Sequence, residues 1–136
     1  MNDNIVDMSV IIAYLNLKDM YHKWAIENLK RLSPPLITCE AVIVESSFLL
    51  RKYEKGNQLL FQLLKENLLE IRFNLQQQSE YINSLLIQYS DVPISIADAC
   101  LIRMSEIFIN SKIITLDSDF NIYRRNKNEM IPLIIP

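Results

Sequence analysis

Four acidic residues carry the chemistry of this chain: Asp7, Glu45, Asp98 and Asp117. Asp7 closes the stretch Asn4-Ile5-Val6-Asp7, and Asp117 follows Lys112-Ile-Ile-Thr-Leu116. An aspartate after a strand commonly caps the next turn. If the two strands are neighbours, however, both carboxylates project into one crevice. Glu45 has Ala41 and Val42 one helical turn before it and Phe48 and Leu49 one turn after. On a helix it therefore lies in an apolar stripe and should be buried. No basic residue occupies those positions, and an unpaired buried carboxylate is costly. The ordinary alternatives are a snorkelling rim glutamate or one paired with Arg51. Ser95-Ile96-Ala97-Asp98 fits a capping box, which sets Asp98 in the first turn of a helix, where it can face a crevice as well. Clustered carboxylates repel and need a counter-charge. An all-oxygen set selects a hard cation, Mg²⁺ or Mn²⁺, and such ions typically act on phosphates by orienting water and stabilising the leaving oxygen.

The elements that must position these acids follow from periodicity and turn signals. Short strands are predicted at 4–7, 36–38, 69–73, 112–116 and, as a last edge strand, from Pro132 to Ile135. Helices are predicted at 9–17, 19–32, 40–53, 57–67, 76–88 and 95–108, with a short helix or turn at 118–124. Ser33-Pro34-Pro35 breaks the second helix and Gly56 ends the third. Strands alternating with helices, each strand short, apolar and β-branched, give an α/β fold: a three-layer α/β/α sandwich around a mainly parallel sheet. Ligand sites in such sheets lie beyond the carboxyl ends of the strands, near the point where strand order reverses. Both strand-end aspartates fall there.

Composition excludes several other classes. The chain has 136 residues, 50% hydrophobic and 22% charged, which suits one domain spanning 1–136. A single glycine rules out a glycine-rich phosphate cradle. One histidine and two cysteines, Cys39 and Cys100, do not have the spacing of a zinc motif. Two cysteines distant in sequence fit reduced, structural roles in a cytoplasmic protein. A net charge of −2 gives no global basic field. The start of the chain lacks the basic residues of a signal peptide, and no apolar run reaches the ~18 residues of a membrane span. His22, beside Lys23, reads as surface, and Trp24, Leu29 and Leu32 as core or dimer surface. Asp119 reads as the cap of the following turn.

Taken in order, Asp7-Met8-Ser9 after a strand, Thr38 seven residues before Glu45, Ile96-Ala97-Asp98-Ala99 opening a helix, and Thr115-Leu116-Asp117-Ser118-Asp119-Phe120 after a strand resemble the PIN domain, and most closely its VapC-type toxins. Tyr89-Ser-Asp-Val-Pro-Ile-Ser-Ile-Ala-Asp-Ala is especially similar to that subgroup. The resemblance implies a Mg²⁺- or Mn²⁺-dependent endoribonuclease whose acids are Asp7, Glu45, Asp98 and Asp117. Asp7 and Asp98 would be the main metal ligands, Asp117 would complete the shell, and Glu45 would bind a second metal or position water. Ser9 and Asp119 would support these from behind. Met8 departs from the family, in which a small hydroxyl residue is usual. Partners implied are RNA, a small antitoxin protein and a second copy of the chain, with no membrane. Two basic clusters, Arg51-Lys52 with Lys55 and Arg124-Arg125 with Lys127, are candidate RNA-phosphate contacts or ordinary solvated faces. The alternative is a catalytically inactive PIN-like module that binds RNA or protein. A dehalogenase-type phosphatase would want Asp-x-Asp at the first strand, where Ser9 stands instead.

Overall fold

The computed structural model describes residues 3–136; Met1 and Asn2, part of the expected 1–136 domain, lie outside the described residues. In chain order the elements are β1 (Asn4–Val6), α1 (Met8–Leu15), α2 (His22–Lys30), β2 (Leu36–Thr38), α3 (Glu40–Leu50), α4 (Gly56–Lys65), β3 (Leu69–Ile71), α5 (Ser79–Gln88), α6 (Ile96–Ile107) and β4 (Lys112–Ile114). A single 3₁₀ turn follows at Ser118–Asn121, then β5 (Arg124–Arg125), β6 (Glu129–Met130) and β7 (Leu133–Ile134).

Five strands form one parallel sheet in the order β3-β2-β1-β4-β7. Ile5 pairs with Ile37 on one side and Ile113 on the other. Successive strand residues face opposite sides of a sheet. Ile5 and Val6, Ile37 and Thr38, and Ile113 and Ile114 are all buried, so helices cover both faces of the central strands. That is why the strands read as unbroken apolar runs rather than alternating ones. Packing of α6 on β1 and β4, and of α1 against α2, α3 and α4, supplies the layers. The order reverses direction at β1 and β4, so the crevice beyond their carboxyl ends is the switch point of the sheet.

The predicted elements appear with shorter ends. The strand predicted at 69–73 pairs only over Leu69–Ile71, and the helix predicted from 76 starts at Ser79 after a turn. A two-stranded antiparallel ribbon, β5 with β6, was not legible in the sequence, since Arg-Arg and Glu-Met carry no strand pattern. At the α3–α4 corner, Gly56 is required by contact: a Cβ there would lie 2.5 Å from the Leu50 carbonyl oxygen.

Candidate active site

Asp7 leaves β1 in extended conformation (φ −97°, ψ 173°) and caps α1, its Oδ1 accepting from the Ser9 amide at 2.9 Å. The Ser9 hydroxyl donates to the same Oδ1. On the other side the Thr115 hydroxyl donates to Asp7 Oδ2 at 2.5 Å. Each hydroxyl also accepts a backbone N–H from the strand-end segment after β4: Leu116 N–H donates to Ser9 Oγ at 3.0 Å and Asp117 N–H to Thr115 Oγ1 at 2.9 Å. Two hydroxyl relays thus lock the ends of β1 and β4 around one buried carboxylate. Thr38 adds a third tie, donating from β2 to the Val6 carbonyl at 2.9 Å. Burial pushes the Asp7 carboxyl above its ordinary range, and the bonds from Ser9 and Thr115 oppose that only in part.

Asp117 takes the cap position of the 3₁₀ turn, its Oδ1 accepting from the Asp119 amide at 2.9 Å. The cap expected of Asp119 therefore belongs to Asp117. Asp119 instead contributes its amide and its carbonyl, which accepts from Ile122 and Tyr123. The capping box around Asp98 forms: Ser95 Oγ accepts the Asp98 amide at 3.0 Å, and the Ser95 amide and hydroxyl in turn lower the Asp98 carboxyl. The Asp98 carboxylate accepts from the Tyr123 hydroxyl at 3.2 Å. Desolvation raises the Asp98 carboxyl, the Tyr123 bond opposes this, and Asp117 adds repulsion that raises it further.

Glu45 is half-buried, not enclosed. The side of α3 that enters the core is Val42, Ile43, Ser46 and Leu50, while Val44 and Phe48 are exposed. The apolar neighbours that suggested a buried stripe include rim residues, and a glutamate between core and rim faces the crevice. Its carboxyl is raised by desolvation, then by the charges of Asp98 and Asp7. Among the described residues it has no hydrogen-bond or ion-pair partner, Arg51 included; none of the four acids is in a salt bridge.

The structure therefore brings Asp7, Glu45, Asp98 and Asp117 into one electrostatic neighbourhood from four different segments. Among the described residues, no three His, Cys, Asp or Glu side chains are drawn together into a ready ion cage. By donor chemistry the acids nevertheless fit a hard divalent cation: oxygen ligands only, partly desolvated, mutually repelling, with no cationic side chain to offset them.

The basic clusters divide. Arg51 and Lys52 are exposed beyond the Glu45 helix. Arg125 is buried, its Nη1 donating to the Ser105 and Ile109 carbonyls and its Nη2 pairing with Glu129 at 2.8 Å. It pins the β5–β6 ribbon to the end of α6 and is not available as an RNA contact. Arg124 is half-buried and closes the preceding turn through the Asn121, Ile122 and Tyr123 carbonyls. His22, expected on the surface, is half-buried with Nδ1 2.8 Å from the Ala13 carbonyl, which ties α2 to α1. Cys39 and Cys100 are free and buried in the core. Sequence reasoning missed Thr115 and Tyr123 as site residues. A hydroxyl in an otherwise apolar buried strand, two residues before Asp117, was a usable signal for Thr115. Tyr123 offered none.

A family described as the PIN domain matches residues 5–126. No match to a curated protein was found by sequence. Among solved structures, VapC20 of Mycobacterium tuberculosis, a sarcin–ricin loop cleaving toxin, superposes with a TM-score of 0.73 at 18% identity, over 86% of this chain and 92% of that one. At that identity the likeness is one of fold. Among the described residues, no helix is long and apolar enough to cross a membrane.

Proposed function

The chain belongs to the PIN domain family, and on that premise we propose that it is a single-domain, cytoplasmic, metal-dependent endoribonuclease, the toxin of a toxin–antitoxin pair. The observation that carries this reading is the convergence of Asp7, Glu45, Asp98 and Asp117 at the switch point of a parallel sheet with no counter-charge among the described residues. Asp7, Asp98 and Asp117 would hold Mg²⁺ or Mn²⁺. When bound, such an ion lowers the pKa of water and offsets charge on the phosphate and the leaving oxygen.

The chain's own residues supply the rest. Ser9 and Thr115 hold Asp7 in one rotamer, so the carboxylate reaches the reaction without reorganising. Glu45 Oε takes the proton of the attacking water. Its carboxyl, raised above all by desolvation, is a better proton acceptor than an ordinary glutamate. Water oxygen bonds to phosphorus, the bond from phosphorus to the leaving ribose oxygen breaks, and that oxygen takes up a proton, so one diester yields a monoester and a hydroxyl. Likeness to a toxin that cleaves the sarcin–ricin loop makes structured RNA the first substrate class to test. A small antitoxin and a second copy of the chain complete the proposal. Exposed Leu17 and Met20 between α1 and α2, and Val44 and Phe48 on α3, give apolar surface for such partners.

The test is cleavage of a panel of structured RNAs by the purified chain with Mg²⁺ or Mn²⁺. Cleavage that stops with EDTA and is absent in Asp7→Asn supports the reading. An intact panel, from protein that still binds RNA, would leave the inactive binding module.

A further inference from the structure

Tyr123 reaches the acid cluster from outside it. Its side chain is fully buried, and its hydroxyl donates to Asp98 Oδ2 at 3.2 Å. The ring is held from two sides. Tyr89 meets it edge-on with centroids 5.3 Å apart at 68°, and Phe120 at 5.3 Å and 88°. Tyr89 is itself fixed, since its hydroxyl accepts the Arg124 amide at 2.8 Å. Buried aromatic contacts of this kind leave a ring one orientation, and a phenol with one orientation aims its proton at one acceptor.

Asp98 is the acid on which that aim falls. Asp7 is held through both oxygens, and Asp117 is held at Oδ1 by the turn it caps. Ser95 fixes the backbone of Asp98, and its amide and hydroxyl act on the Asp98 carboxyl from within the same cap. The Tyr123 hydroxyl is the hydrogen bond that the Asp98 carboxylate receives from another element among the described residues.

We propose that Tyr123 is the positioning residue of Asp98, holding Oδ2 so that the carboxylate is pre-set to bind the divalent cation. This rests on the metal-dependent reading of the site. A ligand oriented by a hydrogen-bond donor behind it loses about 10–100-fold in metal affinity or activity when that donor is removed. Tyr123→Phe removes the hydroxyl and leaves the ring packed between Tyr89 and Phe120.

The experiment measures Mn²⁺ binding to the full chain by calorimetry, and RNA cleavage against Mn²⁺ concentration, for wild type, Tyr123→Phe, Asp98→Asn and the double variant. Expected for Tyr123→Phe is a dissociation constant for Mn²⁺ raised about 10-fold, cleavage restored toward wild type at saturating Mn²⁺, unchanged KM for RNA and a melting point in EDTA lowered by no more than the loss of one hydrogen bond. In the Asp98→Asn background, removing the hydroxyl should add no further loss of Mn²⁺ binding, because the carboxylate ligand that it positions is gone. Wild-type Mn²⁺ affinity in Tyr123→Phe, or losses that simply add in the double variant, would overturn the positioning role while leaving the nuclease reading intact. A wild-type chain that neither binds Mn²⁺ nor cleaves RNA overturns both.

Discussion

The two sides of the acid crevice are built on different terms. On the sheet side, Asp7 and Asp117 end their strand segments, cap the helix or turn that follows, and are joined by the Thr115 hydroxyl. On the helix side, Glu45 stands on α3 without a partner among the described residues, and Asp98 is steadied at its carboxylate from outside its own helix cap by Tyr123. Capping and chemistry are thus not rival explanations for the strand-end aspartates. One oxygen of a carboxylate accepts from the backbone while lone pairs on the other remain for a ligand. A rigid half presents charge in a fixed place, and on the looser half the unpartnered Glu45 has freedom to move a proton or adjust to a bound phosphate.

The largest effect should come from the rigid half. Asp7→Asn retains the cap, because asparagine caps as well as aspartate does, and it removes a desolvated charge. Cleavage should vanish while the fold survives: the amide nitrogen no longer accepts the Thr115 hydroxyl, and relief of the desolvated charge offsets that loss, so the melting temperature in EDTA should move little; wild-type cleavage would break the assignment. On the looser half, Glu45→Gln should lower cleavage by orders of magnitude and leave urea stability in EDTA equal or slightly higher, since a raised, repelled carboxyl has been neutralised. A large destabilisation with activity kept would make Glu45 structural and leave three acids.

Thr115→Val sharpens the contrast between the halves. It is nearly isosteric and buried, yet it strips one donor from Asp7 and the acceptor of the Asp117 amide. A buried hydrogen-bonding group left unsatisfied costs about 1–3 kcal/mol, so this variant should lose stability, unlike Glu45→Gln. Activity should fall about 10–100-fold, as for other groups that orient a ligand. An unchanged urea midpoint would mean that the relay does not fasten the strand ends.

The rigid half was also the more legible in sequence. Asp7 and Asp117 announced themselves by following β-branched runs, and Ser95 to Asp98 by its capping pattern, because strand ends and caps are local signals. The helix-side geometry depends on which flank of α3 enters the core. Periodicity could not decide that while both flanks were apolar, so Glu45 was expected deeper than it lies. Arg125 misled for the opposite reason: a charged pair in sequence reads as solvated, and only the ribbon folding onto α6 buries it. Tyr123 reaches Asp98 across 25 residues, a contact set by tertiary packing alone.

Acidity offers a smaller and signed effect. Asp7, Asp98 and Glu45 all have carboxyls raised above their ordinary values, desolvation being the largest cause in each. A carboxyl raised in the folded state binds more protons there than when unfolded, so its contribution to stability is present at low pH and lost as pH rises from the unfolded value through the folded one. In EDTA these three groups should therefore make the protein less stable with rising pH, starting near the ordinary carboxylate range. Millimolar Mn²⁺ should cancel that loss, raising the melting temperature more at pH 7.5 than at pH 5.5, because protons and cations compete for the same oxygens. Melting curves that ignore Mn²⁺ at both pH values would contradict a carboxylate metal site.

The smallest effect belongs to the surface beyond the looser half. Arg51 follows Glu45 by six residues, its guanidinium stacked 3.7 Å above the Phe48 ring and donating to the Phe48 carbonyl. Lys52 is exposed beside it. If these two hold backbone phosphates of RNA entering along α3, Arg51→Ala and Lys52→Ala should each weaken binding of a short single strand a few-fold. Each should also reduce the slope of log affinity against log salt by about 0.7, the counterion released per phosphate contact on single strands. Turnover at saturating RNA should not change, because neither residue reaches the acids. Arg125→Ala should do the reverse, costing stability through the stranded Ser105 and Ile109 carbonyls and leaving the salt slope alone. Binding measured in EDTA across a potassium chloride series separates the two classes. A slope unchanged by Arg51→Ala and Lys52→Ala would make that cluster an ordinary solvated face and move the path of the RNA to another side of the crevice.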